Sequence, residues 1–310
     1  GDNLFNTELL AQQRAEIELH KRGPRPVSGY LEYKFKNGEH SEEAKEGFQW
    51  IPSNKGKVLI LEHPLKDESG RVFRNLYVAG IDGIDMGQKE TSEKTKDPSD
   101  FCIVIKKRMQ GVNPPQYVAM YKDRPQSVRE AYRIALKLLE YYNCKAVLEF
   151  SKIGFKNFLV DQNIEHKWLM RRTRATMDDP NAVSRQYGVP ANEKTIQHQL
   201  ELIAAYIEDW CQNIWFIDML VELSEYSYEN KRKFDIVAAM GMCELADEEL
   251  IGVIPRKDET YSNQWQDIGY YYENGIKKFG VIPQPEIAPD NMKTIGHDTT
   301  RIRTSRPQYY

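Results

Sequence analysis

Apolar residues in this chain gather into short runs in its first half and into stripes at helical spacing in its second. To about Arg74 the sequence is polar and punctuated. NTELLAQQRAEIELHKR predicts a helix, a Gly-Pro-Arg-Pro break ends it, and GYLEYKF and GKVLILEHP predict strands or a hairpin added to the main body. That body begins at Leu76. LYVAGIDGI, DFCIVIKKR and PQYVAMY are three strand candidates. The polar loop GQKETSEKTKDPSD separates the first two, and MQGVNPP, whose Gly, Asn and Pro mark a turn, separates the last two. Three consecutive strands with one short connection predict an antiparallel meander.

A helix follows. Ser127 and Glu130 have capping-box spacing, and Val128, Ala131, Ala135, Leu138 and Tyr142 build one apolar face. CKAVLEF is short and nearly all apolar. It reads as a strand buried on both faces, reached by a helical crossover and therefore parallel to one of the first three. SKIGFKNFLVD reads as a short helix and HKWLMRR as another strand. Ile196, Leu200, Ile203, Ile207 and Trp210 then mark a second amphipathic helix, followed by helical IWFIDMLVELSEY and FDIVAAMGMCELADEE. From about Gly252 the chain becomes Tyr-rich and Pro-broken, which predicts an irregular, loosely ordered extension.

Strand, strand, strand, helix, strand, helix, strand, helices is the order of the ribonuclease H-like fold. The expectation is an α/β protein whose mixed sheet has three antiparallel strands plus parallel strands, flanked by helices. Three regions follow from the pattern: an N-terminal approach segment over 1–75 with a helix and added strands, a ribonuclease H-like core over 76–250, and an irregular Tyr/Pro-rich extension over 251–310.

Composition narrows the class. With 310 residues and 40% hydrophobic content, a large core is within reach. The balance of 43 Lys and Arg against 46 Asp and Glu gives a formal charge of −3, so any contact with nucleic acid has to come from local basic patches. Cys102, Cys144, Cys211 and Cys243 lie far apart without zinc-site spacing and read as buried, reduced thiols of a cytosolic protein. No run approaches the ~20 apolar residues of a membrane span, and the start GDNLFNTELL lacks the basic and apolar regions of a signal peptide, so no membrane partner is expected.

Three acids interrupt apolar runs: Asp82 after YVAGI, Glu149 within AVLEF, and Asp235 in NKRKFDIVAAM. A carboxylate withdrawn from water costs several kcal/mol unless it is compensated, and a shared divalent cation would compensate all three. On the element order above, Asp82 ends the first core strand, Glu149 lies on the parallel strand beside it, and Asp235 opens a late helix on the same sheet edge. Mg²⁺ or Mn²⁺ prefers carboxylate and water ligands, and a pair of such ions ~3.5 to 4 Å apart activates water and stabilises the leaving oxygen in phosphodiester cleavage. Each acid also has a purely structural reading. Asp82 beside glycine suits a turn, and Asp235 suits the positive end of a helix dipole. Glu149 has no capping or turn role and would need a buried Arg or Lys partner.

VAGIDGIDMG followed by DPSDFCIVI, then AVLEFSKIGF, then KRKFDIVAAMGMCELADEE resembles the C-terminal nuclease domain of the large terminase subunit of tailed bacteriophages, over Tyr77 to about Glu249. The resemblance implies a metal-dependent endonuclease that cleaves double-stranded viral DNA during genome packaging with weak sequence specificity. Asp82, Glu149 and Asp235 match its catalytic, metal-binding triad, while the first motif here carries an extra acid, Asp85, which reads as an auxiliary metal ligand or as the polar end of a strand. Many relatives carry a second acid or a histidine in the last motif, whereas Phe234 and a basic run precede Asp235 here. The implied partners are a terminase ATPase domain, the portal and the small terminase subunit, and the implied setting is the host cytoplasm with transient docking at the procapsid portal. No GxxxxGK[ST] phosphate loop occurs in the chain, so no ATPase activity is expected of it.

For DNA contact the basic runs are Lys106, Lys107 and Arg108 before the Gly111 to Pro115 turn, Arg171, Arg172 and Arg174 after Trp168, and Lys231, Arg232 and Lys233 directly before Asp235. Ordinary solvated strand edges would account for such runs equally well. The alternatives are a catalytically silent packaging or scaffold module docking portal or capsid, another ribonuclease H-like nuclease such as a junction resolvase, and an actin-like ATPase. The last should show two half-domains and further glycine-rich loops.

Overall fold

The computed structural model describes residues 3–38, 41, 44–84, 100–179, 181–182, 184–227 and 234–256, together with the backbone of 268–273 and 276–281. Its centre is one seven-stranded sheet in the order β2-β1-β3-β6-β5-β4-β7. β4 (Tyr77–Asp82), β5 (Phe101–Lys107) and β6 (Gln116–Asp123) form the expected antiparallel meander, and β7 (Lys145–Leu148) pairs in parallel with β4. This is the expected α/β arrangement, a mixed sheet of antiparallel and parallel strands flanked by helices. The first 75 residues are built into it. β1 (Val27–Phe35), β2 (Lys45–Pro52) and β3 (Val58–Ile60) extend the same sheet beyond β6, with β3 pairing antiparallel to that strand.

The central strands are buried on both faces because helices cover both. On one side α2 (Val128–Tyr141), α3 (Gly154–Val160) and α4 (Glu165–Trp168) close a core around Ile81, Ile103, Leu138 and Phe155. On the other, α1 (Thr7–Glu18), α5 (Glu193–Trp210), α6 (Ile217–Glu225) and α7 (Asp235–Glu249) close a second core around Val78, Val104, Ile203 and Met240. All four cysteines are buried and unpaired.

Several local expectations change. Ser127 does sit at the α2 N-cap, but its side chain makes no capping bond, and only its carbonyl accepts the Glu130 N–H. Asn6 and Asn192 are the working caps, each accepting a first-turn N–H of α1 or α5. HKWLMRR splits into the short helix α4 and a bridge from Leu169 to Ala146, with Arg171 bridging Tyr187, because the chain leaves the sheet one residue after reaching it. The C-terminal region, expected to be irregular, contains the hairpin β8 (Ile268–Glu273) and β9 (Ile276–Val281) in a compact unit separate from residues 1–259. 

α7 is buried almost throughout and lies against β4 at close range. Gly80 makes this possible, since a Cβ there would overlap the Ala239 carbonyl oxygen and the Cys243 backbone. The helix runs antiparallel to β4. Its far end is held by charge: the fully buried Lys106 ammonium pairs with Glu244 at 2.5 Å and Asp247 at 2.9 Å, and Arg108 meets Asp247 at 2.8 Å and donates to the Asn75, Val253 and Leu250 carbonyls. Tyr117 donates to the remaining Glu244 oxygen at 2.5 Å.

Replacing Gly80 by Ala should therefore lower unfolding free energy by about 3 kcal/mol or more, because the added methyl meets backbone rather than a flexible side chain. Urea denaturation followed by tryptophan fluorescence measures it, and a loss below about 1 kcal/mol would contradict the close packing.

Candidate functional site

The ends of β4 and β7 and the start of α7 meet at one end of the sheet. Ile81 lies opposite Leu148 in the parallel pair, so the next residues, Asp82 and Glu149, leave neighbouring strands together. On the other side of β4, Asp82 is paired with Cys102, and Asp100 just before β5 donates its N–H to the Asp235 carboxylate at 3.0 Å. Three acids separated by up to 153 positions, from 82 to 235, are thus assembled at one place.

Asp82 is only 4% exposed. Burial first, then the charges of Asp235 and Glu149, push its carboxyl up to about 7 against the opposing pull of Lys152. The Lys152 ammonium hydrogen-bonds to Asp82 and stands 3.9 Å from Glu149. Burial alone would lower the Lys152 pKa, but Asp82 and then Glu149 hold it above its usual value. Glu149 directly follows β7 and continues it as a single parallel bridge to Val189. Its carbonyl accepts the Lys152 N–H at 3.2 Å across the turn that follows, and its carboxylate accepts the Ser151 hydroxyl. The lysine partner demanded by the structural reading of Glu149 therefore exists, and it serves Asp82 at closer range.

A second group surrounds Asp235. Lys122 on β6 pairs with Glu222 of α6 at 2.6 Å and lies 3.8 Å from Asp235 and 3.9 Å from Asp100. The other Glu222 oxygen accepts the N–H groups of Ile236 and Val237, at 2.9 and 3.3 Å, so Glu222 closes the open amide end of α7. Burial raises the Glu222 carboxyl while Lys122 and these amides oppose the rise. Lys152, Lys122, Glu222 and Asp100 were missed by sequence reasoning. Only Glu222 carried a visible signal, a charge on the buried stripe of Met219, Leu220 and Leu223.

Carboxylate oxygens are the donors a hard cation prefers, and the Lys152 ammonium lies between two of the three acids. As placed, no three Asp, Glu, His or Cys side chains among the described residues are grouped to hold a single ion. Each acid has a different partner: Lys152 engages Asp82, Ser151 engages Glu149, and the Asp100 amide engages Asp235. Asp85, the expected auxiliary acid, lies outside the described residues, as do Lys231, Arg232 and Lys233.

The other two basic runs do not flank the acids. Tyr77 pairs with Lys107 and Asp82 with Cys102, so Lys106, Lys107 and Arg108 lie at the opposite end of β5 from the site. Lys106 and Arg108 are spent in the α7 ion network, and Lys107 pairs with Glu62 at 2.6 Å. Arg172 donates to the Thr176 carbonyl, Arg174 pairs with Glu249 at the distant end of α7, and exposed Arg171 lies within electrostatic range of Lys145 at the start of β7. Among the described residues no helix is long and apolar enough to cross a membrane.

No family model and no curated protein matches the sequence. Among solved structures, the chain is similar to the large terminase nuclease from thermophilic phage G20c, at 12% identity and a TM-score of 0.38, over 62% of this chain and 89% of that one.

The raised Asp82 carboxyl has a measurable consequence. Between the ordinary carboxylate value and about 7, the folded chain keeps a proton that the unfolded chain has released, so stability falls as pH rises through about 7. From pH 6 to pH 8 in EDTA, wild type should lose about 1.4 kcal/mol more than Asp82→Asn, which has no such proton to lose. Equal losses in paired denaturant titrations would show that Asp82 ionises normally.

Proposed function

We propose that this chain is a metal-dependent endonuclease that hydrolyses phosphodiester bonds of double-stranded DNA with weak sequence preference, acting on viral DNA during genome packaging. The observation that carries the chemistry is the convergence of Asp82, Glu149 and Asp235 at one sheet end, two of them already sharing a cation in the Lys152 ammonium. Asp82 and Glu149 supply oxygen donors from adjacent strands, and Asp235 supplies one from the start of α7. These residues would hold one or two Mg²⁺ or Mn²⁺ ions, whose positive charge activates water and neutralises the phosphate. Glu222 and the Asp100 amide keep Asp235 at the site, and Lys122 offsets part of the negative charge there.

The packaging setting follows from the motif series in VAGIDGIDMG, AVLEFSKIGF and KRKFDIVAAMGMCELADEE. It brings an ATPase domain, the portal and the small terminase subunit as partners, in the cytoplasm of a bacterial host. DNA contact is assigned to Lys231, Arg232 and Lys233, which directly precede the α7 acid in sequence.

Supercoiled plasmid incubated with the purified chain should be nicked and linearised in Mn²⁺ or Mg²⁺ and left intact in EDTA. Asp82→Ala, Glu149→Ala and Asp235→Ala should each cut at least about a hundredfold more slowly while keeping a cooperative unfolding transition. An intact plasmid at high enzyme concentration in Mn²⁺, or three variants that all cut like wild type, sinks the assignment. Converting Lys231, Arg232 and Lys233 together to Ala should weaken DNA binding and reduce the slope of log K against log salt by roughly 2 to 3. An unchanged slope in fluorescence anisotropy titrations would move the contact elsewhere.

A further inference from the structure

Two lysines stand among the acids, and their partners differ in kind. Lys122 is anchored on Glu222, whose second oxygen caps the first amides of α7. That pairing is a structural obligation of the helix and persists whatever Asp235 binds. Among the described residues, the carboxylates Lys152 pairs with are Asp82 and Glu149, both proposed ligands and neither a helix cap. Its backbone is fixed in the turn after β7, where its Cβ region would lie 3.3 Å from a Cβ built at Gly83, so the ammonium is aimed back across the two strand ends.

We propose that Lys152 is a resident counter-cation of the site, which a divalent ion must displace to engage Asp82 and Glu149 together. The inference rests on the metal-nuclease reading above. Its logic is electrostatic. Asp82 is nearly sealed from water, and an ionised carboxylate there needs a positive partner at short range. The ammonium meets that need without metal. A dication approaching the same oxygens meets a fixed positive charge a few ångströms away, so binding has to include moving the Lys152 side chain. That side chain is about one-fifth exposed, which leaves it a route outward along a flexible four-carbon stem. Lys152 is therefore a positioning residue that lowers metal affinity and holds the empty site together, rather than a ligand.

The test uses the whole chain at pH 8 with Mn²⁺ alone as the probe. Lys152→Met keeps the length and removes the charge. Calorimetric titration should show this variant binding Mn²⁺ on the order of tenfold tighter than wild type or more. In EDTA it should melt below wild type, and saturating Mn²⁺ should close that gap. Because the variant can fail to fold, a second measurement uses wild type only: acylation of Lys152 by an amine-reactive reagent, read by peptide mass spectrometry, should rise several-fold on adding Mn²⁺. Wild type that nicks plasmid in Mn²⁺ while Lys152 acylation stays constant, or a folded Lys152→Met that binds Mn²⁺ no tighter, overturns the displacement and leaves the nuclease reading standing. Wild type and variant that both fail to bind Mn²⁺ and to cut overturn both.

Discussion

Contact between two backbones at Gly80 governs where the site lies. Without a side chain at that position, α7 lies directly on β4, and its first residue reaches the end of the strand where Asp82 emerges. A single contact of this kind sets distance but not register. Register comes from the two ends of the helix. At the far end, Lys106 and Arg108 bind Glu244 and Asp247 in a buried network that tolerates no shift by one residue, since any slip would strand a charge away from water. At the near end, Glu222 accepts the first two free amides. Asp235 is held by constraints whose acids, Glu222, Glu244 and Asp247, lie nine or more positions away from it.

The same arrangement explains why charges are collected in so apolar a sheet. The central strands are buried on both faces, so the only exits for polar side chains are the strand ends. At one end the charges are matched: Glu244 and Asp247 meet Lys106 and Arg108, and Glu62 meets Lys107. At the other, Asp82, Glu149, Asp235, Asp100 and Glu222 gather around Lys152 and Lys122. The first pole is balanced. Among the described residues the second carries more carboxylates than ammonium groups, and the Asp82 carboxyl shifts to about 7 as a direct result of burial among like charges.

Local pattern was enough to find most elements and to single out the three acids, because an apolar run or stripe records burial on its own segment. β4 to β7, α2, α5 and α7 all follow from such patterns. What pattern does not carry is the identity of distant partners. Lys106, Lys107 and Arg108 look like a basic patch ready for phosphate, yet their acids are supplied by Glu62 before the run and by α7 about 140 positions later. Ser127 matches a capping box in spacing, and its hydroxyl takes no part. Glu149 sits in an apolar word and pairs with Val189 just past β7, and the turn after it brings Ser151 and Lys152 to its carboxylate. Pairing, unlike burial, is settled by tertiary geometry.

That distinction between burial and pairing also separates three lysines of identical chemistry. Lys106 is enclosed by two acids and two tyrosine rings, so removing it would leave Glu244 charged in the interior, and nothing from solvent can take its place. Lys122 is half-open but tied to the carboxylate that caps α7, so its departure would loosen the helix start. Lys152 pairs with Asp82 and Glu149, neither of which caps a helix among the described residues, and its own side chain is about one-fifth exposed. Its departure costs little provided another cation arrives. A site that exchanges cations requires that condition: carboxylates held in place by the backbone, and a counter-charge that no other part of the structure needs.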